Sequence, residues 1–513
     1  MNQIDRVKLH SFAGSAGAAT IAPPRSPLIT GLNLGARAAA ESLADRPISP
    51  RLLPGLIQLL DTAALALIGV AAYAVYVAGA DGWQPGYLGP LLTGAAAATL
   101  LSQASGSYAL ASFRRSFAGV ERVAAVWSAV FAAFTLAFFF TKSGQEFSRV
   151  WVGTWYLAGL GYFAVERALL SRLVKGWARA GRLERRAVIV GGGAPAANLI
   201  SALETQSDGD IRICGIFDDR ADDRSPPVVA GYPKLGTIAE LLVFCRIARI
   251  DLLIVALPIS AENRLLALLK QLWVLPIDIR LSAHANKLKF RPRAYSYLGG
   301  VPFLDVFDRP IADWDSIAKR CLDVTVASLA LVLLSPLLAL TAIAIKLDSR
   351  GPVLFRQRRY GFNNEVIEVL KFRSLRHESA DPTASKVVTR GDSRVTRVGR
   401  FIRRTSIDEL PQLVNVLRGT LSLVGPRPHA VQAATGSMPW ERLVDGYFAR
   451  HRVKPGVTGW AQVCGWRGEV DTPEKIQKRV ECDLHYIENW SILFDLYVLA
   501  LTPFRLFNSP NAY

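Results

Sequence analysis

Long apolar runs constrain this chain more than any other feature. Four follow one another, near residues 53–79, 86–110, 120–141 and 150–173, and a fifth lies at 324–345. The first holds the uncharged stretch TAALALIGVAAYAVYVAGA and the third VAAVWSAVFAAFTLAFFFT. A helix needs about 20 apolar residues to cross the hydrocarbon core. The first four runs therefore predict a four-helix transmembrane bundle over 51–175, the alternative being core helices of a soluble fold. The fourth run is the weakest, because Glu166 and Arg167 interrupt it.

Loop charges give an orientation. Arg37, Arg46 and Arg51 precede the first run, Arg114, Arg115 and Arg122 lie in the second loop, and Arg172, Lys175 and Arg179 open a basic stretch after the fourth. The first loop has no Lys or Arg, so both ends of the bundle are expected in the cytoplasm. Composition agrees with a membrane chain: 51% of residues are hydrophobic and 20% charged, against about 25% charged in average globular usage. The net charge of +18 would suggest nucleic acid in a soluble protein, but beside these runs an anionic lipid leaflet is the better partner. Five scattered cysteines without metal-ligand spacing indicate neither a disulfide framework nor a zinc site.

Residues 1–50, rich in Ala, Gly, Ser and Pro, read as a disordered basic cytoplasmic tail. Over 187–316 the pattern changes. AVIVGGG, ICGIFDD, DLLIVALP and IDIRL are strand candidates separated by helical stretches, the alternation of a parallel α/β sheet. Gly191, Gly193 and Ala196 match G-x-G-x-x-A after a strand, which suits a dinucleotide-binding turn. A Rossmann-like domain that binds nothing, and serves as a spacer or regulatory module, is the favoured reading.

The fifth run carries Ser335-Pro336 at its middle and basic residues at both flanks, Lys319 and Arg320 before it, Lys346 and Arg350 after it. Proline removes a helical hydrogen bond, here to the carbonyl of Val332. The Ser335 hydroxyl can compensate nearby. Residues 317–346 are therefore expected to form a re-entrant helix-break-helix with both ends cytoplasmic, the alternative being a kinked spanning helix.

Residues 347–513 form a basic α/β domain. A hairpin is expected around Asn363-Asn364, followed by Arg397, Arg400 and Arg404 on one helical face. That face suits lipid or phosphate. In RRTSIDELPQL, Ser406 and Glu409 have capping-box spacing, whereas Pro411 argues for a later helix start. Either register puts Asp408 and Glu409 near a helix N-terminus, where acids are ordinary dipole partners. Two prolines around Arg427 in VGPRPH hold that arginine on rigid backbone, and KPGVTGW places Lys454 on a loop.

These residues carry a family resemblance. KRCLD, the Ser335-Pro336 pair, GPVLFRQRRYG, KFRS, RRTSIDELPQL, LSLVGPRPHA, KPGVTGWAQV and YIENWSILFDL resemble, in number and order, the bacterial sugar transferases that act on polyisoprenyl phosphates, in their long form. The stretch GWRGEVDTPEKIQKRVECDLHYI is more similar to undecaprenyl-phosphate glucose phosphotransferases than to galactose-type relatives. Ile407, Thr420 and Cys464 depart from the usual Leu, acid and Asn. The resemblance implies transfer of a hexose 1-phosphate from a UDP-sugar to undecaprenyl phosphate at the bacterial inner membrane, with Mg²⁺ and release of UMP, as the first membrane step of exopolysaccharide or capsule synthesis. It implies Asp408 as nucleophile in a covalent intermediate and Glu409 in metal binding or proton transfer, with Asp408 and Glu409 as metal ligands. Arg427, Arg404, Lys371, Arg373 and Lys454 are the candidate phosphate contacts. Nucleic acid is not an expected partner, and a homo-oligomer is left open. A different UDP-hexose, an NAD-linked membrane oxidoreductase and a non-enzymatic scaffold are the competing readings.

Overall fold

A computed structural model of the chain describes residues 32–507 except 44–48, 50–51, 80–81, 115, 145, 206–210, 221–224, 258–260, 283–294, 299–300, 378–391, 430–433, 436–437, 445–446, 467 and 469–471. The chain divides into two compact units, one of residues 46–185 with 210–212, the other comprising the rest.

In the first unit the four apolar runs become helices Leu52–Tyr73 (continued by a π turn, Ala74–Ala78), Leu88–Ala104, Ser116–Phe140 and Arg149–Arg179. Leu52–Ala78 and Gly119–Phe140 are long and apolar enough to cross a membrane. Leu88–Ala104 has 17 residues; at about 1.5 Å per residue it falls short of a ~30 Å hydrocarbon core. Length and composition thus support two of the four expected spans. The faces turned inward are aromatic. Trp127, Trp151 and Trp155 are fully buried, and their indole N–H groups donate to the carbonyls of Tyr156 (3.0 Å), Gly69 (3.0 Å) and Leu65 (2.9 Å). A Cβ on Gly69 would stand 2.9 Å from the Trp155 ring, and one on Gly159 2.7 Å from Trp127, so these glycines let the rings in. Leu59, Leu67, Val75, Phe139 and Phe140 point outward and are exposed, the pattern of helices meeting lipid. The charges that interrupt the fourth run lie inside the unit. Arg167 pairs with Asp61 (3.3 Å), which also accepts from the hydroxyls of Tyr108 and Tyr162 (2.8 Å each). Burial of ionisable groups at such positions is tolerated because they pair.

The second unit begins earlier than the sequence suggests. Leu34–Ser42 is a helix, not part of a disordered tail; residues 1–31 lie outside the described residues. Asn33 caps it by accepting from Ala36 N (2.8 Å) and donates to the Leu235 carbonyl (2.5 Å). Its buried Ala36, Ala39 and Ala40 join the core of an α/β domain. Among the described residues that domain has eight strands: β1 Arg185–Val190, β2 Ile211–Phe217, β3 Val228–Val229, β4 Tyr232–Gly236, β5 Leu252–Val255, β6 Asp278–Ser282, β7 Tyr295–Leu298 and β8 Val301–Phe307. They lie in the order β3-β4-β2-β1-β5-β6-β8-β7. The β1-β5-β6 pairings are parallel and β6-β8-β7 antiparallel. All four strand candidates appear, in a mixed α/β sheet whose centre is parallel as expected and whose margins are antiparallel.

The fifth apolar run is one helix, Asp313–Asp348, with Pro336 inside it. The expected interruption into two helices is absent from its hydrogen bonding. The Ser335 hydroxyl donates to the Val332 carbonyl (2.8 Å), replacing the donor that proline lacks. Both arms of the helix pack on one domain. Val326, Ala327 and Leu331 join a core with Leu413, Val416 and Leu421, while Leu338, Ala342 and Ile345 join Phe372, Ile402 and Ile407. Between the arms, Val332 and Leu333 are exposed. Lys319 and Arg320 are not free juxtamembrane charges, since both bond within the fold.

Candidate active site

Four segments meet at the acid pair. The first is the hairpin of β9 Leu354–Tyr360 and β10 Val366–Phe372. Its turn contains Asn363 and Asn364 at φ +54° and +60°, a left-handed conformation that asparagine tolerates. Register pairs Lys371 with Phe355, Val369 with Gln357 and Ile367 with Arg359. Directly opposed residues share a face, so Lys371 and Arg359 lie on one side while Arg356 and Arg358 lie on the other.

The second segment is the acid turn. Helix Arg397–Arg404, capped by the Thr396 hydroxyl, ends before Ser406, whose φ is +58°. A 3₁₀ turn, Ile407–Glu409, follows, and helix Gln412–Arg418 then runs to Gly419 at φ +80°. The later start indicated by Pro411 is the one that occurs, and Ser406 makes no capping bond. Asn415 ties this helix to β10: its Oδ1 accepts from Leu370 N (2.9 Å) and its Nδ2 donates to the Glu368 carbonyl (2.7 Å).

The remaining segments hold Arg427. Strand β11, Ser422–Val424, pairs in parallel with Gly456–Thr458. A Cβ on Gly456 would fall 2.1 Å from Gly425 N, so the VGPRP and KPGVTG motifs need glycine where their backbones cross. Arg450 Nη2 donates to the Arg427 carbonyl (2.8 Å) and pairs with buried Asp483 (2.5 Å). Arg359 bonds the Pro428 carbonyl.

The two acids are treated differently. Glu409 accepts from Lys371 Nζ at Oε1 (2.9 Å) and from Arg427 at both oxygens, Nη1 reaching Oε2 at 3.1 Å. Although burial opposes it, the arginine and lysine together hold this carboxyl well below the usual carboxylate range. Asp408, partly exposed, makes no side-chain hydrogen bond among the described residues. Burial and the neighbouring Glu409 charge push its pKa up to about 6, against the pull of Lys371, Arg403 and Arg427. One carboxylate is locked and the other is open.

Of the candidate phosphate contacts, Arg427 and Lys371 stand at the pair. The other three do not. Arg404 ends its helix exposed; the left-handed Ser406 resets the helical phase, and Arg403, not Arg404, joins Lys371 and Arg427 in acting on Asp408. Arg373 is buried and donates to Ser349 O (2.8 Å), Ser349 Oγ (3.0 Å) and Arg350 O, closing the end of the membrane helix. Lys454 Nζ lies 3.6 Å from where a Gly419 Cβ would be, at the far end of the Gln412–Arg418 helix. Arg359 joins the site unannounced by its motif; strand alternation combined with the hairpin register is the signal that finds it.

The glycine turn of the α/β domain exists but does not suit a pyrophosphate. Gly191 and Gly193 have φ +100° and +74°, and Ala196 is buried in the following helix. Gly192 N–H already donates to Asp218 Oδ2 (2.7 Å), Arg220 Nη2 donates to Gly192 O (2.8 Å), and a Cβ on Gly192 would lie 2.2 Å from Ser225 Oγ. A phosphate there would meet a carboxylate. Among the described residues no group of three or more His, Cys, Asp or Glu could hold a metal ion. The acid pair can supply only Asp408 freely, since both Glu409 oxygens are engaged; Mg²⁺, which keeps waters and substrate phosphates as ligands, fits such a sparse donor set.

An open carboxylate beside a locked one, among cations and on a domain packed around an apolar helix, is an arrangement that suits phosphate chemistry at a membrane. Residues 314–509 match the family model described as bacterial sugar transferase, and 103–283 the one described as CoA-binding domain. The chain is 40% identical to undecaprenyl-phosphate glucose phosphotransferase of Komagataeibacter xylinus, over 70% of this chain and 66% of that protein. It is 35% identical to UDP-glucose:undecaprenyl-phosphate glucose-1-phosphate transferase of Escherichia coli K12, over 78% and 86%, and 35% to the Xanthomonas campestris protein of that name, over 75% and 79%. The chain belongs to the bacterial sugar transferase family.

Proposed function

We propose that this protein transfers glucose 1-phosphate from UDP-glucose to undecaprenyl phosphate, releasing UMP. The unequal acid pair carries the reading. Asp408 attacks the sugar-linked phosphorus, forming a P–O bond as the bond to UMP breaks. A lipid phosphate oxygen then attacks the same phosphorus and frees Asp408. A carboxylate is a workable nucleophile, and a pKa near 6 leaves it ionised yet fairly basic at neutral pH. Arg427 and Lys371 fix Glu409 and offset charge on the diphosphate. Mg²⁺, when bound, neutralises the diphosphate, with Asp408 the ligand most open to it. The names of the relatives favour glucose. Purified protein with undecaprenyl phosphate is expected to release UMP from UDP-glucose much faster than from UDP-galactose; the reverse preference would reassign the sugar, and no release from either would end the reading.

The same reading places the catalytic domain on the cytoplasmic face of the inner membrane, with the four helices of 51–175 as spans, the second lengthened by the 3₁₀ turn Pro85–Tyr87 that leads into it. The helix Asp313–Asp348 then bends at Ser335-Pro336 and re-enters. What supports re-entry is that its two arms pack on one domain, which cannot lie on both sides of a bilayer. A straight helix of this length would run ~54 Å. With other cysteines replaced, Cys321 and an Asp348→Cys variant should both react with an impermeant maleimide only from the cytoplasmic side. Labelling of either from outside would sink re-entry.

A further inference from the structure

The first turns of the membrane helix hold the reaction centre by both of its halves. Lys319 is buried and bridges Asp495 (2.5 Å) and the Val424 carbonyl (3.1 Å). Val424 ends the strand that leads through Gly425-Pro426 into Arg427. Tyr486 OH closes the same knot, donating to Asp495 (2.7 Å) with the Val424 carbonyl also within reach (3.1 Å). One residue on, Arg320 donates to the carbonyls of Val416 (2.5 Å) and Leu417 (2.6 Å). These belong to the last turn of the helix that begins just after Asp408 and Glu409, whose final carbonyls need external donors. Asp323, a turn later, accepts from Leu423 N (3.0 Å) and Ser422 Oγ (3.1 Å).

We propose that Lys319 and Arg320 are positioning residues, Lys319 fixing the Arg427 loop and Arg320 the helix that follows the acid turn against the membrane helix. This rests on the transfer reaction proposed above. A basic pair at a membrane boundary would ordinarily be given to lipid phosphates. Here Lys319 has its charge answered by Asp495, and Arg320 spends two donors on helix carbonyls. The reaction brings an aqueous nucleotide sugar to a phosphate held at the leaflet surface. The reacting oxygens must therefore sit at a set height, and a misplacement of about 1 Å can cost ~100-fold in rate. Anchoring both halves to the embedded helix sets that height.

The test uses the full chain in lipid nanodiscs. The wild-type rate with UDP-glucose and undecaprenyl phosphate is measured first and belongs to the function reading; the ratio of variant to wild type tests the clamp. Arg320→Met is expected to lower kcat at least about tenfold, with KM for UDP-glucose within twofold. Lys319→Met strands Asp495 and should lower both kcat and thermal stability. Lys319→Met combined with Asp495→Leu removes both charges, and replacing a buried pair by apolar groups is often neutral for stability. That double variant should melt near wild type yet stay slow, because the Val424 carbonyl has lost its lysine. Recovery of kcat together with stability would reduce Lys319 to a packing role, and an Arg320→Met enzyme within twofold of wild type in kcat would overturn the assignment of Arg320.

Discussion

Asp408→Asn is expected to abolish sugar-phosphate transfer, by at least about a thousandfold in kcat, the scale on which loss of a nucleophile is felt. The catalytic domain should meanwhile be as stable as wild type or more stable. The second half of this result follows from the raised pKa. A carboxyl whose folded pKa of about 6 exceeds its ordinary value of 3.8 binds its proton more tightly in the folded state. It contributes stability below pH 3.8 that is lost as pH rises through 6. At pH 8 the ionised Asp408 is thus a burden, held near Glu409 and drawn partly out of water. Asparagine, neutral throughout, removes that burden. Thermal melts should therefore favour the variant at pH 8, with the difference shrinking toward pH 5. Single-turnover trapping of radiolabelled sugar phosphate on the protein, without lipid acceptor, should succeed for the wild type and fail for the variant. A variant that still releases UMP would remove Asp408 from the nucleophile's role; one that melts well below wild type at pH 8 would contradict the electrostatic account.

Local features were legible wherever one residue type forces one backbone. Asn363-Asn364 marks the hairpin turn, Pro411 delays the helix start, Gly419 ends that helix, and Ser335 answers the missing donor at Pro336. The strand candidates of the α/β domain were readable because strands buried on both faces are continuous apolar runs. Side-chain direction was harder. Helical spacing from Arg397 and Arg400 favours Arg404 over Arg403, but the left-handed Ser406 breaks that phase before the acids, and Arg403 is the one that acts on Asp408. Arg373 follows Lys371 by two residues, but its guanidinium reaches the end of the membrane helix, a contact far away in sequence. Leu34–Ser42 reads as tail because a short Ala-rich segment has no strong period, and its order comes from docking on the core of the α/β domain. The basic flank of the fifth apolar run looked like a topology signal, although Lys319 and Arg320 are committed to carbonyls and to Asp495.

Glu409→Gln should behave in the opposite way to the Asp408 variant in stability while also losing rate. Glutamine keeps the shape but withdraws the charge that answers Lys371 and Arg427, whose side chains are 14% and 27% exposed. Breaking a buried pair by removing one partner costs about 3–5 kcal/mol, so a loss near the lower end is expected here at neutral pH. Because the Glu409 pKa is depressed, its contribution is present above its ordinary 4.5 and lost as pH falls through the depressed value; the stability gap should narrow in acid. Rate should fall by roughly 100-fold or more, as Arg427 and Lys371 lose the group that orients them. The acid limb of the remaining activity should also move. Glu409 is the charge that helps raise Asp408, and without it Lys371, Arg403 and Arg427 act on Asp408 unopposed by that charge, so the limb near pH 6 should shift to lower pH. A pH–rate profile of the variant reads this directly. A limb that stayed in place would mean that the titrating group governing catalysis is not Asp408, whatever happened to the rate.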